Sequence, residues 1–395
     1  MTQDPSMPTD QRRFGAADVI AGLSVALVVV PQSLAYAEIA GMPPYTGLYA
    51  AALPSIAAAP LSASRYLQTG PVAMTALLTF GALSAIAEPG TTDYIGLAML
   101  LALMVGVIRL ILGLIKGGMI TNYMSPAVIL GFTSAAAALI IASQSATIFG
   151  VVDAKDDLVA RFVDALSRVG DWNWEAIGIA AGTAAIMLAG RRVNKLFPGV
   201  LVAVIIGVVV AALTGYSGEL VGEVPEGFPP LSLALPWSRA ADLAVPALII
   251  AMVGFAEPTA IARTMALQDR ERWDADRELI SQGVANIASG ISGGFPVGGS
   301  FARSSINRLA GAKTRWSGAV TGLAVVAFMP FAGVLSELPK AVLGAIVVVA
   351  VSGLLKIPEM IRLLRVSWGQ SFVAWVTAVA TILLSPRVDL AIIVG

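Results

Sequence analysis

The stretch LAMLLALMVGVIRLILGLI, Leu97–Ile115, carries a single charge, Arg109, in nineteen residues. As a helix rising 1.5 Å per residue it matches the ~30 Å hydrocarbon core of a bilayer. The apolar runs Val200–Leu213 and Leu243–Phe255 repeat the pattern. Of all 395 residues 13% are charged, against roughly 25% in a soluble domain. The class that follows is an all-α integral membrane protein with many spans.

Apolar segments parted by Gly, Pro and charge clusters predict thirteen helices and the beginning of another. Their cores are 17–39, 46–61, 71–87, 93–115, 125–145, 174–190, 198–213, 241–263, 276–290, 300–311, 316–333, 339–355, 367–385 and a stub from 388. Segment 276–290 is short and polar for a span. If the N-terminus is cytoplasmic and every segment crosses, most Lys and Arg fall on the cytoplasmic side, among them Arg191, Arg192, Arg270, Arg272 and Arg277. The outer connections then hold Lys155, Arg161, Arg168, Arg239, Lys340 and Arg387. That asymmetry is the one expected of inner (plasma) membrane proteins. Arg12 and Arg13 before an apolar run, with AYA at Ala35–Ala37, resemble a cleaved signal. The run continues past Pro31, however, and reads as structure.

Histidine and cysteine are absent. Disulfides, thiolate chemistry, His/Cys zinc sites and imidazole relays are excluded, and neither a metal nor a cofactor is expected. Any proton moved inside the membrane must ride on Asp or Glu. Lys+Arg and Asp+Glu are both 25, and no basic arm points to nucleic acid.

GGFPVGGSFARSSINRLAG, Gly293–Gly311, breaks the apolar pattern with glycines and places an arginine just inside the next helix. YLQTGPVAM, Tyr66–Met74, is a second Gly/Pro break leading into a helix. Irregular backbone at bilayer depth survives only where protein or a water-filled cavity covers it. Helices that begin inside the membrane, at Pro71 and at Ser300, present free N–H groups and about half a positive charge each. Pro71 suits the first turn of such a helix. Two such ends facing each other make an anion site. Arg303 falls in the first turn of the second, a cation at the positive end, and an anionic substrate would compensate it. Snorkelling to the interface or pairing with a carboxylate is the alternative. SPAVILG (Ser125–Gly131) also resembles LPKAVLG (Leu338–Gly344). Both likenesses are offset by seven helices, the mark of halves with opposite membrane orientation.

Two carboxylates stand inside apolar helices, Glu38 and Glu257, and are the candidates for carrying a coupling proton. Glu38 could instead lie at an outer, solvated end, and Glu257 could bond backbone N–H groups at a break made by Pro258. Arg109 is expected to pair with a core carboxylate, and Asp18 and Asp242 to mark helix starts. Arg263–Glu278 reads as a solvated connection, and Asp153–Trp172 as an amphipathic helix on the interface. GLIKG and GAVTG signal close helix packing. GISGG, Gly290–Gly294, matches the G-x-S-x-G of hydrolases, but without histidine no triad can be assembled.

Taken together, PQSLAYAEIAGMPPYTGLYAAALPS, TGPVAMTAL, FAEPTAIARTMA and GGSFARSSINRLAGAKT resemble the first, third, eighth and tenth helices of the sulfate permease (SulP) anion transporters. The likeness spans nearly the whole chain. It implies a 7+7 inverted repeat of 14 transmembrane helices, the last incomplete here. Helices three and ten would be half-length, each preceded by a short extended segment. The implied organisation is a cytoplasmic N-terminal segment (1–16), a core domain (17–116 and 241–335), a gate domain (117–215 and 336–395) and an outer connection (216–240). The resemblance also implies a homodimer and an elevator-like movement of core against gate. Most members continue into a cytoplasmic STAS domain, so a chain ending at Gly395 is expected to be truncated. Residue by residue, the resemblance puts Gln32 and Tyr36 on the first helix facing the site. It puts Thr69, Gly70 and Pro71 at one half-helix start, and Ser300, Phe301, Ala302 and Arg303 at the other. Glu257 matches an acidic position of the eighth helix. Many members have Ser where Ala302 stands, which removes one hydroxyl donor.

The expected activity is proton-coupled uptake of a small anion. A dicarboxylate such as fumarate or succinate, or sulfate, is favoured because two helix ends and Arg303 offer more positive potential than one charge requires. Bicarbonate or chloride, sodium in place of the proton, exchange, an anion channel, and a nucleobase carrier of the same fold are the alternatives.

Overall fold

A computed structural model describes residues 13–122, 125–151, 158–194, 196–385 and 387–388. The stub from 388, Arg12 and the start of the amphipathic segment at Asp153 lie almost wholly outside these. Helix α1 (Ala16–Ile39) starts where Asp18 accepts the Gly15 N–H at 3.3 Å, closing the first turn. The same carboxylate accepts Lys313 and Thr314 N–H at 2.8 and 2.7 Å, so the helix start also anchors a distant loop. Ala35–Ala37 is buried within α1. Helix α2 (Thr46–Ala58) follows, then strand β1 (Thr69–Gly70), α3 (Ala73–Leu83) and α4 (Thr92–Leu114). Next come α5 (Pro126–Ser143), the short α6 (Ser145–Phe149), α7 (Leu158–Ser167), α8 (Trp174–Val193) and α9 (Gly199–Thr214). The expected interfacial helix is α7, which buries Leu158 and Ala165 along one side.

Helix α10 (Ala240–Gln268) runs unbroken through Pro246 and Pro258. Helix α11 (Ala275–Ile291), strand β2 (Gly298–Gly299), α12 (Phe301–Leu309), α13 (Trp316–Phe328) and α14 (Lys340–Val351) continue the chain. It closes with α15 (Ile357–Val366) and α16 (Trp368–Leu383). SPAVILG and LPKAVLG occupy like places, each opening a helix beside a proline, α5 and α14. Among the described residues seven helical stretches are long and apolar enough to cross a membrane, and four shorter apolar helices accompany them.

Three expectations are corrected. Residues 357–366 were placed in a connection but form α15, with Pro358 in its first turn, Glu359 at its positive end and Arg365 at its negative end. Pro71 lies just before α3 rather than in its first turn, because Val72 is the N-cap. The connection Arg263–Glu278 is not solvated throughout: α10 extends to Gln268, and Glu278 is fully buried.

The polar segment 276–290 is a helix, and it is held by backbone-to-backbone packing on α4. A Cβ on Gly283 would lie 2.7 Å from the Leu110 nitrogen and 2.9 Å from the Gly106 carbonyl oxygen. A Cβ on Gly106 would lie 2.6 Å from the Ile287 nitrogen. Gly113 and Gly290 make equally close approaches two turns further along, to α11 and α4 respectively. Contact this close lets dispersion accumulate over the whole seam, and it fixes α11 as the platform of the site.

Candidate functional site

The break before α12 opens where Gly293, at φ +81°, turns the chain out of α11. The extended residues that follow pair antiparallel with the other break: Thr69 opposite Gly299 and Gly70 opposite Gly298. Backbone groups at both breaks thereby satisfy one another. Further bonds close the pair: Ser300 N–H to the Gln68 carbonyl at 3.0 Å, and Gln68 N–H to Ser304 Oγ at 2.9 Å. A Cβ on Gly299 would press 2.6 Å from Leu67 Cδ1, so a side chain there would have to displace the Leu67 side chain.

Helix α3 has 11 residues and α12 has 9, so each spans about half of a ~30 Å hydrocarbon core. Because the strands feeding them run antiparallel, the two helices leave in opposite directions, and their N-terminal ends flank the strand pair. Ser300 caps α12 by accepting the Arg303 N–H at 3.4 Å.

The polar residues of α11 hold this arrangement, and the sequence reading did not single them out. Glu278, Gln282, Asn286 and Ser289 recur every three or four residues on one buried face. Gln282 donates to Thr69 Oγ1 at 2.8 Å. Asn286 accepts the Val297 N–H at 2.9 Å and donates to the Val297 carbonyl at 3.1 Å. Ser289 donates to the Phe295 carbonyl at 2.6 Å. Glu278 accepts Ala63 and Ser64 N–H at 3.1 and 3.0 Å. Their signal was a polar stripe at helical spacing inside a membrane chain.

Arg109 corrects another expectation. Among the described residues it pairs with no carboxylate; its guanidinium is buried and donates to three backbone carbonyls, Ala251 at 3.0 Å, Ile250 at 3.0 Å and Val297 at 3.1 Å. A Cβ on Gly254 would lie 2.7 Å from its Nη2, so α10 admits the arginine only where it lacks a side chain. Arg109 therefore joins α4, α10 and the second break.

Arg303 is the opposite case. It is fully buried, and among the described residues Nε, Nη1 and Nη2 have no hydrogen-bond partner. A Cβ on Gly70 would lie 3.4 Å from its Nη2, which places the guanidinium beside the first break although it stems from the second. Glu257 and Tyr36 both lie within electrostatic reach of it. Glu257 on α10 lies within electrostatic reach of the Phe301 N–H at the start of α12, and α10 runs through Pro258 without a break. Thr69, Gly70, Pro71 and Ser300 are buried around the strand pair, whereas Phe301 is 55% exposed and Ala302 is exposed beside it. On α1, which packs against both half-helices, Gln32 and Tyr36 are buried, and Gln32 Oε1 lacks a partner.

Glu38, in the last turn of α1, stands apart from this cluster. One of its carboxylate oxygens is buried without a partner, and its nearest charges are Lys340 and Glu219, themselves paired at 3.1 Å. Among the described residues no group of acidic side chains could hold a metal ion. An apolar cleft of about 330 Å³ between α8 and α9, lined by Ile179, Ile186, Ile206 and Val210, offers nothing to an anion. The chemistry available at the strand pair is electrostatic: two helix N-terminal ends and an unpartnered guanidinium, in a buried setting.

Comparison with known proteins points the same way. The chain is 34% identical over 389 residues to the chloroplastic sulfate transporter 4.1 of Arabidopsis thaliana, covering 96% of this chain and 56% of that protein. A probable sulfate transporter of Mycobacterium tuberculosis is 33% identical over 382 residues, covering 94% and 67%. The chain thus spans little more than half the length of the plant relative. Two solved structures share the fold at 23% identity. The transmembrane domain of the cyanobacterial bicarbonate transporter BicA has a TM-score of 0.85, with 96% of this chain and 97% of that one covered. The murine Slc26a9 anion transporter has a TM-score of 0.88, with 97% and 68% covered. The model of the sulfate permease family matches residues 16–377. With that match, and with such identities over nearly its whole length, the chain belongs to the sulfate permease family.

Proposed function

We propose that this protein moves a small anion across the membrane by secondary active transport, binding it between the starts of α3 and α12. One observation carries the reading: Arg303 is fully buried with all three side-chain nitrogens unpartnered. A charge so placed is costly to a membrane protein unless a ligand completes it. An anion at ~4 Å gains about 4 kcal/mol at an effective dielectric of ~20. That distinguishes anions from neutral solutes and argues against a nucleobase as cargo.

The preferred cargo is sulfate or a dicarboxylate of the fumarate or succinate kind, taken up together with a proton. Glu257 supplies the physical link. Its carboxylate lies within electrostatic reach of Arg303 and of the Phe301 N–H, so an incoming anion meets a like charge at the start of α12. Protonating Glu257 removes that repulsion, and Glu38, with its unpartnered oxygen, is the second proton carrier. Gln32, Tyr36, Thr69, Gly70, Pro71, Ser300, Phe301 and Ala302 form the walls. The cycle follows alternating access. A core of α1–α4 and α10–α13, one part from each half of an inverted repeat, shifts like an elevator against a gate built from the remaining helices. The protein would sit as a homodimer in the inner membrane with its N-terminus cytoplasmic.

Uptake of radiolabelled sulfate, fumarate and bicarbonate into proteoliposomes, with and without an inward proton gradient, tests this. Accumulation of one of them above equilibrium, driven by external acid, is expected. In Glu38→Gln and Glu257→Gln the acceleration by acid should disappear while gradient-free exchange persists. Flux that never exceeds equilibrium would mean a channel, and acceleration unchanged in both variants would remove the carboxylates from coupling.

A further inference from the structure

Helix α15 has more apolar surface than the protein covers. Met360, 2% exposed, and the half-buried Leu363 pack with Ala127 and Ala135 of α5 and Ala374 of α16. Ile357, Ile361 and Leu364 recur at i, i+4 and i+7 on the adjoining strip, and each is 48 or 49% exposed. At about 100° per residue, Arg365 and Arg362 fall on the next strip round, and Glu359 lies opposite the apolar one. Both arginines and Lys356 are exposed. The order round the helix is therefore protein, apolar, basic, acidic.

The place of α15 in the chain says what covers the apolar strip. It stands between two apolar helices, α14 and α16, and the non-helical residues Leu355 (ψ 90°) and Ser367 (φ −155°, ψ 109°) part it from both. Trp368, the first residue of α16, is 74% exposed and stacks on Phe372 with ring centroids 5.7 Å apart. Exposed apolar side chains continue along α16 at Trp375, Val379 and Ile382, three or four residues apart, as on the lipid-facing side of a span. A tryptophan exposed at the end of such a stripe marks the headgroup level. Helix α15 ends two residues before it, at Val366, and so lies at that level. Segment 356–366 carries Lys356, Arg362 and Arg365 against one acid, Glu359. A helix with an apolar strip and basic residues beside it is of the kind that lies flat in the interface.

We propose that α15 lies in the plane of the membrane as a docking surface for anionic phospholipid. Acyl chains cover Ile357, Ile361 and Leu364, and headgroup phosphates bind Arg362 and Arg365. The order round the helix fits this setting. With Met360 toward the bundle and the apolar strip toward the bilayer interior, the arginines point outward at headgroup depth and Glu359 points to water. The Lys356 N–H, donated to Ser134 Oγ at 3.3 Å, ties the start of the helix to α5. Each Lys or Arg beside an anionic surface adds about a fivefold preference. The leaflet is the cytoplasmic one in the orientation proposed above. The surface belongs to the proposed gate and would hold it in the bilayer while the core moves, but it does not depend on that cycle.

The chain has no cysteine, so a single introduced one carries a label uniquely. The full chain, in nanodiscs of equal parts phosphatidylcholine and phosphatidylglycerol, is spin-labelled at Ile361→Cys or at Glu359→Cys. The label at 361 should meet oxygen more readily than a water-soluble nickel complex, and the label at 359 the reverse. Ready access of nickel to both would mean that the strip faces water. A label at 361 shielded from both reagents would mean that a second copy of the chain covers it. Either result overturns the proposal. Headgroup choice is read from a fluorophore at Leu364→Cys, quenched by brominated phosphatidylglycerol or brominated phosphatidylcholine. The anionic lipid should reach half-quenching at about one tenth of the mole fraction or less. Adding Arg362→Gln with Arg365→Gln should abolish the difference, and Arg362→Lys with Arg365→Lys should keep most of it. Equal quenching by the two lipids before these changes, or a preference unaltered by the glutamines, would refute headgroup binding by the arginines.

Discussion

Replacing Arg303 with methionine removes the guanidinium, since methionine keeps an unbranched apolar stem and lacks the charged head. The arginine contributes no hydrogen bond to the protein from its side chain, so the change breaks none. What it removes is attraction for an anion held between the half-helix starts. At ~4 Å and an effective dielectric of ~20 that attraction is about 4 kcal/mol for one unit charge, which corresponds to about a thousandfold in affinity. The helix ends remain, each contributing a few tenths to ~2 kcal/mol, so binding is weakened rather than abolished. Exchanging a buried charge for a packed apolar chain is often neutral or stabilising. The anion-free melting temperature should therefore stay level or rise, which separates a functional loss from misfolding. The assay is thermal unfolding over a sulfate series, paired with uptake into proteoliposomes. Wild-type protein should gain stability as sulfate is added, following the usual mass-action dependence; Arg303→Met should need about a thousandfold more sulfate. A sulfate dependence within threefold of wild type would refute the assignment of Arg303 to the anion.

Two further expectations concern the platform. Asn286→Leu strands the Val297 N–H, while the Val297 carbonyl keeps its bond from Arg109 at 3.1 Å; a loss of about 1–3 kcal/mol is expected, read as a lower melting temperature. Gly283→Val would drive a side chain into the α4 backbone 2.7 Å away, and overpacking of this kind costs about 1–3 kcal/mol or more; poor yield or a lowered melting temperature checks it, and full stability would contradict the packing.

Much of the helical architecture was legible because long apolar runs and their punctuation are local signals. Asp18 and Asp242 read as helix starts and stand in first turns. The two Gly/Pro breaks read as half-helix starts, and α3 and α12 are short helices that follow short strands. Other features were hidden for physical reasons. Helix α15 was overlooked since its apolar residues occupy one face only; its basic residues suggested a connection, although Pro358, Glu359 and Arg365 are each where a helix prefers them. Arg109 was assigned a carboxylate because a buried cation invites an ion pair. The carbonyls that receive it belong to residues far along the chain, and no local pattern encodes their approach. The glycine reading found GLIKG and GAVTG at a spacing of four. The seam that matters uses pairs seven apart, Gly106 with Gly113 and Gly283 with Gly290, which also face one way on a helix.

The short polar helix predicted over 276–290, α11, turns out to carry the most specific task. In a bilayer the interruption of two helices leaves backbone donors and acceptors that lipid cannot satisfy. The antiparallel strand pair satisfies part of that demand. The remainder, at Val297, Phe295, Ala63 and Ser64, falls to Asn286, Ser289 and Glu278 on α11. The polarity that weakens α11 as a membrane span is thus what the two breaks require of a neighbour. It also explains the contrast between the two buried arginines. Arg109 is consumed by three carbonyls, two on α10 and that of Val297 at the second break, so it is structural and its charge is spread over fixed dipoles. Arg303 projects from the same break with its donors unspent. Because α11 and Arg109 already meet the needs of the irregular backbone, the side-chain donors of Arg303 are left over for something that is not backbone, and the anion proposed as cargo is a partner whose charge would match them.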